Sequence, residues 1–471
     1  MGISFNPSSL LSGQGINVSN LVSQIINQSS GPLLEWQNEQ STLQGQASDL
    51  TAINTALTNL ATAVTALSDP VGPLTAQSAT SSNTGVLNAT AQTSAVAGNH
   101  TIVVTNLASV GTVYTDEFTG GANASILRSG ATSGEIDLQV GGGTPVPITI
   151  TPGANDTLTT LASYINGQSL GVNASVITDA NGSRLVLVSK NTGTPGAVAI
   201  TGNNTNLSFN TPTGGVNAQL SIDSVPYSSA TNTIAGAIPG VTLNLAGSSG
   251  GNPVQVAVGP DVAQATSAIN NFVSAYNQVV SDINQEFTVN SSTNAQGPLA
   301  GGSSLRQLQS SLLTDATYSL SGNGGDVNLA SLGINMNNDG TLMVDSSQLN
   351  SALASNPAAV QNFFQNSSLT GFANNFNTDV TNLTDPVEGL LNVELAQNKT
   401  QQTNLATNIS NFQTQLTAQQ TALTAQYAAV NASLQAYPLL LQQMTEVLAT
   451  LGTNSNGSSS GSSSPILTSG L

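Results

Sequence analysis

The sequence predicts an α+β multidomain protein in which discontinuous N- and C-terminal coiled-coil or helical-bundle domains enclose two inserted β-rich domains. Three observations carry that reading. Apolar residues recur in heptads near both ends of the 471-residue chain. Between about Leu74 and Pro260 the apolar period changes to two. Gly, Asn, Thr and Pro punctuate the short runs of that middle region, as turns between strands do.

The elements follow in order. The polar start is expected to be disordered. "GINVSNLVSQIINQ" then places Val18, Leu21, Val22 and Ile25 on one helical face, with Asn17 or Ser19 as its cap. "SSGPLLEWQ" restarts a helix, with Ser30 as candidate cap and Pro32 tolerated in the first turn. From there Trp36, Leu43, Leu50, Leu57 and Val64 recur every seven residues, and Ile53, Leu60 and Leu67 supply the second seam position. Asp69-Pro70 and Gly72-Pro73 end the run.

The middle region contains "TIVVTNL", "EIDLQV", "PITI", "RLVLVSK", "AQLSID", "VTLNL" and "VQVAV", each alternating as a half-buried strand does. "NDTLTTLASYIN" is the one helical signal among them, with Leu158, Leu161, Ala162 and Ile165 on a face. Helix returns at Asp261, where Val262, Ala265, Ile269, Phe272, Tyr276, Val279 and Ile283 step by three and four. Leu305, Leu308 and Leu312 mark a shorter helix, and Phe372, Phe376, Val380 and Leu383 another. Asp339-Gly340 reads as a hairpin turn. In "SNPAAVQNFF", Asn356 caps and Pro357 takes the first helical position.

From Leu390 the pattern is helical again, with Ile409 and Leu416 leading to "LTAQYAAVNASLQAYPLLLQQMTEVLATL". There Leu423, Tyr427, Val430, Leu434, Tyr437, Leu441, Met444, Leu448 and Leu451 are spaced alternately four and three apart. Pro438 sits inside this seam, where a proline costs about 3 kcal/mol. The seam keeps phase across it, so a kink is expected and not a stop. "GTNSNGSSSGSSSP" reads as a flexible tail. Left exposed, such a seam would make a sticky protein, because each buried Leu is worth about 1.5–3 kcal/mol. It needs a partner: the N-terminal helix, other copies, or another protein.

The expected domains are residues 1–45, a disordered start and terminal helix; 46–72 with 261–408, a helical bundle; and 73–112 with 216–260, a first β domain. Residues 113–215 form an outer β domain, 409–451 a C-terminal coiled-coil helix, and 452–471 the tail.

Composition narrows the function. Charged residues make up 6% of the chain and the formal net charge is −18. The five basic side chains, Arg128, Arg184, Lys190, Arg306 and Lys399, are scattered. Nucleic acid needs clustered Lys and Arg, so its binding is excluded, and anionic membrane surfaces are disfavoured. With no cysteine there are no disulfides or thiolate metal sites. No stretch approaches the ~20 apolar residues of a transmembrane helix, so no membrane insertion is expected. The start lacks the basic and apolar regions of a secretory signal.

Chemistry is sparse. His100 reads as a turn residue before a strand. Asp116, Glu117, Glu135 and Asp137 could pair as glycosidase acids do, but acids in such a region are ordinarily solvated. "NNDGTLMVD" has part of a calcium loop without its ligand ladder. No catalytic, metal or cofactor site is expected.

The order of motifs resembles the flagellar filament cap family, also called hook-associated protein 2, over nearly the whole chain. "GINVSNLVSQIINQSSGPLLEWQNEQSTL" is similar to its N-terminal helix, with Asn17 where the family tends to have Asp. "TLTTLASYINGQSLGVNASVITDANGSRLVLVSKNTG" resembles the insertion motif shared with flagellins. "NAQLSIDSVPYSSATNTIAGAIPGVTLNL", followed by "VQVAVGPDVAQATSAINNFVSAYNQVV", resembles the family's return into its helical domain, and "GPLAGGSSLRQLQSSLL" and "SLGINMNNDGTLMVDSSQLNSALASNPAAVQNFF" resemble its next two blocks. The C-terminal helix departs from the family in its low charge and in Pro438.

The resemblance implies a non-enzymatic, extracellular protein at the tip of the bacterial flagellum. Such proteins form a ring-shaped homo-oligomer, help exported flagellin to fold and insert, and are exported unfolded through the flagellar channel without a cleaved signal. Implied partners are itself, flagellin, the hook-associated junction proteins and a flagellar export chaperone. The expected filament and self-association seam is Val18, Leu21, Val22, Ile25, Trp36, Leu43, Leu50, Leu57, Val64, Ile409, Leu416, Leu423, Tyr427, Val430, Leu434, Tyr437, Leu441, Met444 and Leu448. A hook–filament junction protein, a flagellin-like subunit, or a glycan-binding adhesin acting through residues 113–215 are the alternatives.

Overall fold

The structure is a computed structural model that describes residues 17–453 apart from 292–294, 323–324, 367 and 369. The expected disordered start and flexible tail fall on residues 1–16 and 454–471, outside the described residues. The chain divides into two compact units. One holds the residues up to Thr58, Val279–Ser310 and those from Thr381 onward; the other holds Asn59–Gln278 and Ser311–Val380.

Helix α1 spans Val18–Ser29 and is capped by Asn17, whose Oδ1 accepts from the Asn20 N–H at 3.0 Å. Ser30 does not cap the next helix through its side chain. Its hydroxyl donates back to the Asn27 carbonyl at 2.8 Å, closing α1. Helix α2, Gly31–Ser68, runs without a break through the expected boundary at 45/46. It stops at Asp69, whose Oδ1 accepts from the Val71 N–H at 2.9 Å and whose place before Pro70 disfavours helix. Its heptad residues Leu50, Ile53, Leu57, Leu60, Val64 and Leu67 are all buried. One correction concerns membranes: α2 is long and apolar enough to cross one by length and composition. Those buried heptad residues give its apolar stripe a protein interior to face instead.

The β-rich region is antiparallel throughout. Strands β1 (Gln77–Ser81), β2 (Leu87–Ala91), β3 (Gly98–Asn106) and β4 (Val110–Tyr114) come first. Next are β5 (Gly134–Val140), β6 (Val146–Ile150), helix α3 (Leu158–Gly167), β7 (Val172–Thr178), β8 (Ser183–Thr192) and β9 (Val198–Asn203). Then follow β10 (Ala218–Ile222), β11 (Val225–Ser229), β12 (Thr233–Ile238), β13 (Val241–Leu245) and β14 (Val254–Pro260).

A five-stranded sheet in the order β1-β14-β3-β10-β11 and a three-stranded sheet β12-β13-β2 share one core. Ile102, Val104, Leu243 and Val256 lie in it. Their alternation with outward polar residues is the period-two pattern of the sequence. Sheets β4-β8-β7 and β6-β5-β9 share a second core with α3, built on Ile136, Ile150, Leu161, Ile165 and Leu187. Thr157 closes a capping box on α3 with Thr160. The chain enters and leaves this second group side by side, where the Ser109 N–H donates to the Val216 carbonyl at 2.9 Å.

Helix α4 spans Val262–Phe287 and is capped by Asp261, which accepts from the Gln264 N–H at 2.9 Å. After α5 (Ser303–Ala316) come two hairpins, β15 (Ser319–Gly322) with β16 (Gly325–Asn328) and β17 (Ile334–Met336) with β18 (Leu342–Val344). Helices α6 (Ser346–Ser355), α7 (Pro357–Gln365) and α8 (Phe372–Thr384) follow. Asn356 accepts from the Ala359 N–H and Pro357 opens α7, as its sequence implies. Phe272, Tyr276, Phe363, Phe364, Phe372 and Phe376 are fully buried and packed ring to ring, with centroids 5.1 to 6.3 Å apart. Helix α9 is a single element from Leu390 to Thr453. The expected boundaries at 408/409 and 451/452 both fall within it.

Candidate interaction surface on the terminal helices

The expected seam divides into a covered and an uncovered stretch. In the first unit α2 and α9 run antiparallel. The Asn54 Nδ2 donates to Asn392 Oδ1 at 3.1 Å, Asn398 Nδ2 to Gln46 Oε1 at 3.2 Å, and Gln402 Nε2 to the Leu43 carbonyl at 3.2 Å. Further along, Trp36 meets Phe412 edge to face at 5.4 Å. Leu43, Leu405 and Ile409 form a small core with Leu33 and Trp36 against it. Trp36 is thus a packing residue at the seam, as its heptad position implies. Beyond it α1 takes over: Val18, Ser19 and Val22 line a shallow groove with Thr424, Ala428, Ala432 and Gln435 of α9.

Of the expected seam residues, Leu21, Val22, Leu43, Leu50, Leu57, Val64, Ile409 and Leu416 are buried. Val18, Ile25, Trp36, Leu423, Tyr427 and Leu434 are half-buried. Val430, Tyr437, Leu441, Met444 and Leu448 are exposed, Tyr437 at 66% and Leu448 at 62%. Of the partners expected for the seam, the chain's own N-terminal helix therefore covers only a part. The described part of that helix begins at Val18, and α9 extends past it.

Sequence reasoning also missed part of the face. Leu440 and Val447 are exposed with the others, at 58% and 57%. Leu440 and Val447 lie seven apart, beside the positions of Leu441 and Leu448. They widen the stripe from two heptad positions to three. A strict two-position stripe suits a two-stranded coil, whereas three positions suit a helix packed in a bundle. The run "PLLL" carried the signal, but counting only the best-phased residue of each turn discarded it. From Thr400 to Thr453 the one charged side chain is Glu446, so little charge repels neighbouring copies of this helix.

Pro438 lies in the middle of α9, which continues on both sides. It has no N–H to give the Leu434 carbonyl, so one rung of the ladder is missing next to the exposed face.

The sequence's chemical candidates are engaged elsewhere. His100 lies within strand β3 opposite Val256, not in a turn before it. Its Nδ1 is 2.8 Å from Asp223 Oδ2, and Asp223 Oδ1 accepts from the Thr101 N–H at 2.8 Å. The Thr101 N–H, and then His100, hold the Asp223 carboxyl below the usual carboxylate range. Glu117 pairs with Arg184. Asp339 accepts from the Thr341 hydroxyl at 2.6 Å and the Thr341 N–H at 3.0 Å, the geometry of a turn. Among the described residues no group of three or more His, Cys, Asp or Glu side chains could hold a metal.

Comparison with known proteins gives a consistent picture. The family model for the flagellar hook-associated protein 2 C-terminus matches residues 215–437 and that for its N-terminus matches 14–110. A third, the flagellin hook IN motif, matches 135–191. The B-type flagellar hook-associated protein 2 of Pseudomonas aeruginosa is 30% identical over 413 residues, spanning 79% of this chain and 85% of that protein. The flagellar hook-associated protein 2 of Escherichia coli K12 is 28% identical over 377 residues, 75% of this chain and 79% of the relative. The crystal structure of the D1-D2-D3 domains of the flagellar cap protein FliD from Escherichia coli is similar, with a TM-score of 0.58 at 27% identity. That likeness covers 74% of this chain and 99% of the solved one.

Proposed function

The chain belongs to the flagellar hook-associated protein 2 family, the filament cap of the bacterial flagellum, and from that premise we propose that it caps by inserting the exposed end of α9 between neighbouring subunits. The family is a structural component of the flagellum, and its place is the filament tip. Copies of this chain associate in a ring through the face that Tyr437, Leu440, Leu441, Met444, Val447, Leu448 and Leu451 present. The ring holds exported flagellin while it folds and inserts, and it rests on filament subunits and, during assembly, on the junction proteins. Before export an assembly chaperone covers the same face, and the chain passes unfolded through the flagellar channel.

One observation carries this reading: a continuous apolar stripe, uncovered in the monomer and three heptad positions wide. A stripe of that size is an interaction site in a protein that stays soluble. Replacing Leu441 and Leu448 with Asp tests it. Burying two unpaired carboxylates costs several kcal/mol, more than the roughly 3–6 kcal/mol two leucines contribute. The variant should be exported and folded, should scatter light as a smaller species, and should leave unpolymerised flagellin in the medium. Gln442→Asp, off the stripe, is the control and should swim. Equal motility of the two variants would remove α9 from the capping surface.

A further inference from the structure

We propose that residues 192–197 are a strap that fastens the second β core to the first, so that the two cores move as one rigid arm and do not swing about the paired connection between them. That connection alone would allow a swing. It is a two-stranded ribbon, held where Ser109 faces Val216 and Thr112 faces Thr213. Bonds along one line do not fix the angle about that line, and domains joined by few contacts move relative to one another by default. A fixed angle needs contacts off the ribbon.

The strap supplies them. It leaves β8 at Thr192 and makes one 3-10 turn over Thr194–Gly196 before β9 begins. Three of its donors reach the first core's side. The Thr192 hydroxyl donates to the Ala230 carbonyl at 2.6 Å. The Gly193 N–H donates to the Ser109 carbonyl at 2.9 Å. The Thr194 N–H donates to Asn217 Oδ1 at 2.7 Å. These acceptors lie on three separate segments. Ala230 falls between β11 and β12 and belongs to neither strand of the ribbon, so its bond resists rotation about it.

Both ends of these bonds are themselves held. The Asn217 carbonyl accepts from Asn106 Nδ2 at 2.9 Å, and Asn217 Nδ2 donates to Ser228 Oγ at 3.3 Å. Asn232, two residues past Ala230, accepts through Oδ1 from the Ala108 N–H at 2.7 Å and donates through Nδ2 to the Ala108 carbonyl at 3.0 Å. The segments that receive the strap are thereby tied to the end of β3. On the other side the Gly141 N–H, just past β5, donates to the Ala197 carbonyl at 2.6 Å, and Val198 enters the second core. The strap is anchored in both cores.

The contact is also close, backbone against backbone. Gly193 has a φ of 75°, and a Cβ there would lie 2.6 Å from the Ala230 Cα. A Cβ at Gly215 would run into the Gly193 carbonyl. Surfaces that approach this closely leave no gap in which one core could tilt against the other. Whatever the second core touches is then met at one fixed angle to the first.

The test is a distance measurement on the full-length chain. The sequence has no cysteine, so two labels can be placed without interference. Thr90→Cys on β2 and Thr149→Cys on β6 are exposed strand positions, one on each side of the ribbon. The doubly spin-labelled chain, diluted into unlabelled chain so that only distances within one copy are read, should give one narrow distance by double electron–electron resonance. Adding Thr192→Val with Asn217→Ala removes a donor and an acceptor of the strap and leaves the apolar cores intact. The width of the distribution should then roughly double. Should that chain not fold, as judged by circular dichroism, Thr192→Val alone keeps the side chain's shape and is read in its place, with broadening in the same sense. A broad distribution in the parent chain, or an unchanged width in the folded variant, overturns the proposal.

Discussion

Asp223 and Ser224 form the two-residue turn between β10 and β11, where Ile222 pairs with Val225. Both have positive φ, 50° and 69°. That is the turn whose twist matches a hairpin, and it ordinarily takes Asn, Asp or Gly. Asp223 tolerates it because its carboxylate is tied to Thr101 and His100 of the neighbouring strand. Ser224 is a residue type that gains nothing from a left-handed backbone. Ser224→Gly should therefore stabilise the first β core by about 0.5–1 kcal/mol, and thermal unfolding should show a higher Tm. An unchanged or lower Tm would mean the serine is not strained. Little of this was legible in the sequence. "SIDSVPY" lacks the Asn-Gly or Asp-Gly signal of such a turn. The His100–Asp223 contact joins residues 123 apart, a separation no local pattern reports.

At the scale of the element, heptads were the most legible feature. Leu50, Leu57 and Val64 recur every seven residues and all three are buried. The alternation in "RLVLVSK" likewise gave β8, whose Leu185 and Leu187 lie in a core. Exposure at the end of α9 was not legible. A heptad says that a face will be buried, but not whether the partner lies in the same chain. The α9 helix also survives Pro438, as the unbroken phase from Leu434 to Leu441 implied. Survival has a cost, because the Leu434 carbonyl lacks its usual donor and a proline in a helix interior costs about 3 kcal/mol. Pro438→Ala should restore the rung. Amide exchange from Tyr437 to Leu451 should slow by at least tenfold, with mean residue ellipticity at 222 nm slightly more negative. Exchange unchanged in that segment would show that Pro438 weakens nothing locally.

At the scale of the whole molecule, the chain is interrupted twice: the helical ends are split by β strands, and the first β core is split by the second. The break points are close in space. Ser109 bridges Val216, and the Thr112 N–H donates to the Thr213 carbonyl at 2.9 Å, so both strands of the connection run together. The residues between them have their own core, with Ile136, Leu161 and Leu187 buried. A loop insertion closed at its neck costs little to remove, because the shorter connection lowers the closure entropy only logarithmically. Replacing residues 113–215 with a short Gly/Ser linker should thus leave the first β core and the helices folded, with an unchanged α-helical signal after allowing for α3. If residues 113–215 lie outside the capping surface of α9, cells carrying this shortened chain should still build filaments, fewer or shorter than normal, and retain most flagellin. The discriminating result is the pairing of two readouts. Exported, folded protein with no filaments at all would mean that residues 113–215 supply a contact the cap requires. Filaments of any length would leave the terminal helices as the capping element.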